Sequence, residues 1–198
     1  MQISPIDAVA NVYRKYVHFQ HKETAFLLAC WTATTYFPDV FDYTGYVVIT
    51  SPGPECGKSI LLQLLQQTTH NSTPPLVSPT EANIFRNASG KTQIIDEVDT
   101  WLNTAYLKPV LNAGFQRGAT IERCEKRTIA GNESFTPKQF DIFAPRALAG
   151  IDLLKKLPKP TLSRSFIVEM EKRSYHERGV KFKLGVALEE TKILQSQL

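Results

Sequence analysis

No stretch of this chain approaches the roughly 20 consecutive apolar residues that a membrane span requires, so a membrane partner is not expected. Cysteine is scarce: Cys30, Cys56 and Cys124 are widely spaced and odd in number. That usage argues against a disulfide framework and against a cysteine-bound metal, and it fits a reducing, cytoplasmic compartment. The start, Met1-Gln-Ile-Ser-Pro5, lacks the basic and apolar regions of a secretion signal. Repeats and low-complexity tracts are absent. Charge of one sign is also in short supply. The net charge of +4 permits nucleic acid as a partner without arguing for it. What remains is an ordinary globular balance, 42% hydrophobic and 21% charged, and 198 residues suffice for one substantial core.

The strongest signal is Ser51-Pro-Gly-Pro-Glu-Cys-Gly-Lys-Ser59. It follows a β-branched run, Tyr46-Val-Val-Ile-Thr50, and precedes an apolar helical pattern, Ile60-Leu-Leu-Gln-Leu-Leu65. Strand, glycine-bearing loop, Lys-Ser and helix is the context of a phosphate-binding P-loop. Successive backbone N–H groups of Pro52, Gly53, Pro54, Glu55, Cys56, Gly57, Lys58, Ser59 and Ile60, less those of the two prolines, would face a phosphate at a helix N-terminus. Lys58 would reach the β- and γ-phosphates of ATP, and Ser59 would hold Mg²⁺. The strict pattern wants glycine where this chain has Pro52. Proline can still open the turn, and Gly53 and Gly57 supply the permissive backbone.

A second motif, Thr92-Gln-Ile-Ile-Asp-Glu97, reads as a short apolar strand ending in two acids. It resembles a Walker B motif. Asp96 would complete the Mg²⁺ shell, and Glu97 would act as general base on the attacking water. Asp99 adds a third acid nearby.

Around these motifs the periodicity predicts two helices between Asp7 and Phe37, broken at His18 to Lys22, then the strand at 46–50 and a helix to about Thr68. Leu76-Val77 is a weak strand candidate, Thr80 caps a short helix, and Trp101 to Phe115 reads as one helix. Thr120 to Ile129 and Phe135 to Phe143 form a β-hairpin about the Ala130-Gly-Asn-Glu133 turn. Arg146 to Ile151 and Ser165 to Met170 read as strands, with a last amphipathic stretch near Val186 to Leu194. Alternating strands and helices predict an α/β three-layer fold with a mainly parallel sheet, N-terminal helices and an inserted hairpin. The expected divisions are 1–40, a helical segment packed on the core; 41–172, the core; and 173–198, a polar tail or helix.

The ordered set of motifs resembles the P-loop ATPases of AAA+ and helicase type. More narrowly, it is similar to an uncharacterised ATPase domain of phages, plasmids and other mobile elements that often accompanies primase modules. The matching stretches include Leu28-Ala-Cys-Trp-Thr-Ala-Thr34, Gly57-Lys-Ser59, Ile95-Asp-Glu-Val-Asp99, Leu111-Asn-Ala-Gly-Phe-Gln-Arg-Gly-Ala119, Ala144-Pro-Arg-Ala-Leu-Ala-Gly-Ile151 and Leu162-Ser-Arg-Ser165. The resemblance implies a Mg²⁺-dependent ATP hydrolase, an oligomeric helicase-like motor on DNA. It gives Arg164 the part of an arginine finger that enters a neighbouring subunit's site in a ring. Arg117 and Arg146 are further candidates for phosphate or inter-subunit contacts, and Asp152 occupies a sensor position where asparagine is common. Some related hexameric helicases carry a hairpin that points into the pore, which would make Lys126, Arg127 and Lys138 nucleic-acid contacts. The 28 residues beyond Met170 (198 − 170) are fewer than the usual helical lid. A nucleotide-dependent switch, loader or defence-system ATPase acting on a protein partner is the alternative. A metabolite kinase is a third class, and it has less use for a base such as Glu97.

Overall fold

The computed structural model describes residues 3–102, 107–129, 132–173 and 180–195; the side chains of 126–129, 132–134 and 193–195 lie outside that description. The chain opens with α1 (Pro5–Tyr16) and α2 (Thr24–Thr34), then β1 (Tyr46–Ser51) and α3 (Lys58–Thr68). Next come β2 (Leu76–Val77), α4 (Glu81–Arg86), β3 (Gln93–Asp96), α5 (Val98–Trp101) and α6 (Leu107–Ala113). The hairpin strands β4 (Thr120–Ile129) and β5 (Asn132–Asp141) precede β6 (Arg146–Ile151). Two single-turn helices, α7 (Leu153–Lys156) and α8 (Lys159–Leu162), lead to β7 (Ser165–Glu169) and finally α9 (Leu184–Gln195).

Five strands form one sheet in the order β2-β3-β6-β1-β7, and every neighbouring pair is parallel. Parallel strands are covered on both faces, which explains why β1 and β6 read as near-continuous apolar runs rather than alternating ones. The strand period of two divides their side chains. Val47, Ile49, Ile94, Ala147 and Ala149 enter a core with α1, α2 and α3. Tyr46, Val48, Ile95 and Leu148 enter a second core with α4, α5 and α6. The result is helix, sheet, helix: the three-layer α/β fold that the motif order predicts.

Three helices on the first face meet at one hydroxyl. Tyr13 of α1 is fully buried, with its OH 2.7 Å from Thr32 Oγ1 of α2 and 2.6 Å from Thr68 Oγ1 of α3. Burial pushes its phenol up to about 12. The polar C-terminal stretch is no free tail over its described part. In α9, Ala187 and Thr191 are buried, and Glu190 receives the Lys15 ammonium and the Tyr16 hydroxyl of α1.

The region from Trp101 to Phe115 differs from the single helix expected. A short helix covers Val98–Trp101 and Leu102 follows as a turn, while α6 covers Leu107–Ala113. Residues 103–106 lie outside the described residues.

The hairpin stands apart as its own two-stranded sheet. It leans on α4 through Arg123–Glu81 and Arg86–Glu125 ion pairs, and Phe140 packs against Phe85 with ring centroids 4.5 Å apart. No helix among the described residues is long and apolar enough to cross a membrane.

Candidate functional site

The carboxyl end of β1 is held from both sides. Met170 N–H donates to Thr50 O at 2.8 Å, Asp152 N–H to Ser51 O at 3.1 Å, and Leu153 N–H to Thr50 Oγ1 at 3.0 Å. From this fixed point the chain enters the turn 52–57 and then α3. Glu55 and Gly57 take positive φ angles, 62° and 86°. Left-handed residues set among right-handed ones turn neighbouring amides inward, which makes an anion-binding concavity. Only glycine takes φ = 86° without a Cβ penalty, so Gly57 is fixed by backbone geometry. The first helical bond runs from Leu61 N–H to Gly57 O at 3.1 Å, so the amides before Leu61 face out of the helix end.

Lys58 is half-buried and folds back across this turn. Its ammonium donates to Ser51 Oγ at 2.5 Å and to Gly53 O at 3.1 Å. Ser51 Oγ in turn donates to Gly53 O at 2.6 Å. Ser59, next along α3, is exposed, with its hydroxyl 3.5 Å from Asp96 Oδ2, long for a hydrogen bond to a carboxylate. Thus two segments 37 residues apart in sequence set a hydroxyl and a carboxylate side by side at the mouth of the turn.

β3 ends at Asp96, whose Oδ1 accepts the Glu97 amide at 2.8 Å. Glu97 sits at φ 52°, ψ 35°, an uncommon conformation for a side chain with a Cβ. Its carboxylate is exposed and unpaired among the described residues. Strained backbone at an acid beside a polar cleft is a recognised mark of a functional position. The third acid, Asp99, does something else. Its Oδ1 accepts the Ile151 amide at 3.0 Å and its Oδ2 lies 3.5 Å from the Lys156 ammonium, so it braces the end of β6. Gly150 is required there, because a Cβ would collide with that carboxylate.

The arginines divide. Arg146 is fully buried, so it makes no phosphate or inter-subunit contact, contrary to expectation. Its guanidinium donates to Gln93 Oε1 (2.7 Å), Tyr46 OH (3.2 Å) and the carbonyls of Gly114, Ala144 and Ile142. Those dipoles solvate the charge in place of water. Arg117 is committed to the chain's own loop, donating to the Pro38 and Phe41 carbonyls beside Asp39 and Asp42. Arg164 precedes β7, whose Ser165 pairs with Tyr46 at the start of β1. It therefore lies at the opposite end of the sheet from Lys58. There it donates to Asn112 O at 2.6 Å and stacks 3.8 Å over the Phe115 ring. Asp152, at φ 54°, borders the turn but pairs with Lys155 at 3.7 Å. Of the hairpin cations, Lys138 is held 3.2 Å from Glu125, and the side chains of Lys126 and Arg127 lie outside the described residues.

Sequence reasoning missed two partners. Ser51 was legible as part of the motif, yet nothing local indicated that it would hold Lys58. Lys172, 117 residues from Glu55, reaches its carboxylate at 2.9 Å, and no sequence signal joins them. Two cavities flank the turn, of about 300 Å³ on the α1 side and about 260 Å³ on the Asp152 side. An apolar cavity of about 160 Å³ between Trp31, Phe37, Phe41 and Phe143 lies away from the two carboxylates.

The sheet order and the two helical layers define the class: a three-layer α/β protein built on a five-stranded parallel sheet. Among solved structures the chain is similar to the A-form apo structure of the NrS-1 C-terminal region, with TM-score 0.61 and 12% identity over 100% of this chain and 46% of that one. A second apo structure of the NrS-1 C-terminal region gives TM-score 0.61 and 13% identity over 98% of this chain and 46% of that one. This likeness is one of fold, and the chain spans less than half the length of those it matches. No family model and no curated protein matches the chain.

Proposed function

We propose that this chain is a Mg²⁺-dependent ATP hydrolase of P-loop type, an oligomeric helicase-like motor on DNA in the replication of a phage or mobile element. The observation that carries the hydrolase reading is the meeting of Ser59 and Asp96, 3.5 Å apart, beside the 52–57 turn that leads into Lys58. Hard oxygen donors of this kind fit Mg²⁺, which takes its remaining ligands from water and phosphate. Such an ion would neutralise charge on the phosphate oxygens.

The residues then take distinct parts. The N–H groups of Gly53 and of residues 55–60 cradle the phosphates at the α3 N-terminus. Lys58 exchanges Ser51 and Gly53 for β- and γ-phosphate oxygens. Glu97 orients a water and accepts its proton as the water oxygen bonds to the γ-phosphorus. The bond from that phosphorus to the β–γ bridging oxygen breaks, and ADP leaves with the electron pair. Arg164 cannot reach its own chain's turn, so it serves a neighbouring subunit, where it offsets charge developing in the transition state. The similarity of fold to the NrS-1 C-terminal region supports the α/β scaffold on which this reading rests.

The test is steady-state ATP hydrolysis with and without single- and double-stranded DNA, comparing wild type with Glu97→Gln. DNA-stimulated turnover that the variant loses while still binding ATP is the expected result. Equal turnover in the two proteins removes Glu97 from its role. One observation favours the second reading, a switch or loader for a protein partner: Lys138 is already paired with Glu125. Hydrolysis indifferent to DNA but raised by a protein would select that reading.

A further inference from the structure

The turn carries a charge that a phosphate site does not want. Glu55 stands within the 52–57 segment in left-handed conformation, two residues before Gly57 and the start of α3. An uncompensated carboxylate there would repel every anion approaching the site. The fold answers it from the far end of the chain. After β7, Met170 bonds Thr50 O, and its Cε lies 3.4 Å from where a Cβ on Gly57 would stand. Lys172, two residues on, then reaches Glu55 at 2.9 Å. The segment so formed crosses the turn, and Met170 and Glu171 line the cavities on both sides of it.

Stability does not explain this pair. Its side chains are 71% and 76% exposed, and exposed ion pairs contribute little to folding. What the pair changes is the field at the mouth of the site. The Lys172 hydrogen bond holds the Glu55 carboxyl below its ordinary range, and Glu55 in turn raises the Lys172 ammonium, so both stay charged at neutral pH.

We propose that Lys172 sets the affinity of the turn for polyphosphate by cancelling the Glu55 charge at its rim. This rests on the reading that residues 52–59 hold a nucleoside triphosphate, and it adds a positioning residue that no motif marks. The charge sum makes the idea testable. The pair totals zero in the wild type, minus one in Lys172→Met, plus one in Glu55→Gln, and zero again in the double variant.

The experiment is calorimetric titration of all four proteins with the magnesium complexes of inorganic tripolyphosphate and of a non-hydrolysable ATP analogue, at low and high salt. At low salt Lys172→Met should bind both ligands about tenfold more weakly and Glu55→Gln about threefold more tightly, and the differences should shrink at high salt. The double variant should return to within about twofold of wild type, with melting temperatures alike throughout because the pair is exposed. Wild-type affinity in Lys172→Met, or a loss that survives in the Glu55→Gln background, overturns the proposal alone. A folded wild type that binds neither ligand overturns the nucleotide reading beneath it as well.

Discussion

Glu97 holds an uncommon backbone conformation, with its amide bonded to Asp96 Oδ1 and its exposed carboxylate unpaired among the described residues. Glu97→Gln keeps that geometry and removes the basicity. It should therefore bind ATP like the wild type and lose turnover by about 100-fold or more in a coupled hydrolysis assay. Tyr13 offers a separate test, of stability. Its folded phenol titrates near 12 against an ordinary 10.0. The folded state therefore keeps a proton that the unfolded chain releases. The stabilisation is complete below pH 10 and fades as pH rises towards 12, by about 3 kcal/mol for a two-unit shift. Tyr13→Phe should flatten the loss of stability with pH across that window in denaturant titrations, while costing roughly 1 kcal/mol at neutral pH for the lost hydroxyl. At this scale Lys58, Ser59, Asp96 and Glu97 were legible because each sits in a local string whose chemistry depends on near neighbours. Lys172 and the burial of Arg146 were not, since both depend on residues far away in sequence.

Elements were legible where periodicity is long and ambiguous where it is interrupted. The hairpin, four of the core strands and the helix after the turn stand close to where the pattern predicts, β5 covering Asn132–Asp141 rather than Phe135 to Phe143, and Leu76-Val77 does form the fifth core strand. The apolar spacing suggested one helix from Trp101 to Phe115, whereas α5 ends at Trp101 with a turn at Leu102 and α6 ends at Ala113. Gly114, directly after α6, shows what such a boundary demands. A Cβ there would stand 2.5 Å from both Arg146 Nη1 and Ile142 O. Gly114→Ala must displace either backbone or a buried guanidinium, and about 3 kcal/mol of stability should go with it. Thermal unfolding should show a midpoint lowered by roughly 6 to 12 °C. A midpoint within a degree of wild type would mean that Arg146 yields freely.

For the whole molecule, the decisive feature is polarity along the sheet. All five strands run the same way, so the 52–57 turn and Arg164 lie at opposite ends. Under the proposed function, one chain would not complete its own site. Arg164→Ala should lower hydrolysis by about 1,000-fold with little change in nucleotide affinity. Mixed with an equally inactive Lys58→Ala protein, it should regain a measurable fraction of activity, because some junctions then join an intact turn to an intact arginine. Silence in the mixture, with both proteins folded and associated, would place Arg164 outside the chemistry. The proposed ring is not legible in the fold of a single chain. The two-ended layout is, and it follows from the motif order: Leu-Ser-Arg before the last strand, Gly-Lys-Ser after the first.

The two-stranded arm also leaves the body where it enters. Thr120 faces Asp141 across its base, and the Ile142 amide bonds Ala119 O at 3.0 Å. Residues 119 and 142 could be spliced directly, and the parallel sheet would lose no rung. Evolution and the engineer are thus offered the same detachable cassette, one that could be shortened, exchanged or replaced by a foreign graft without recasting the machine that carries it.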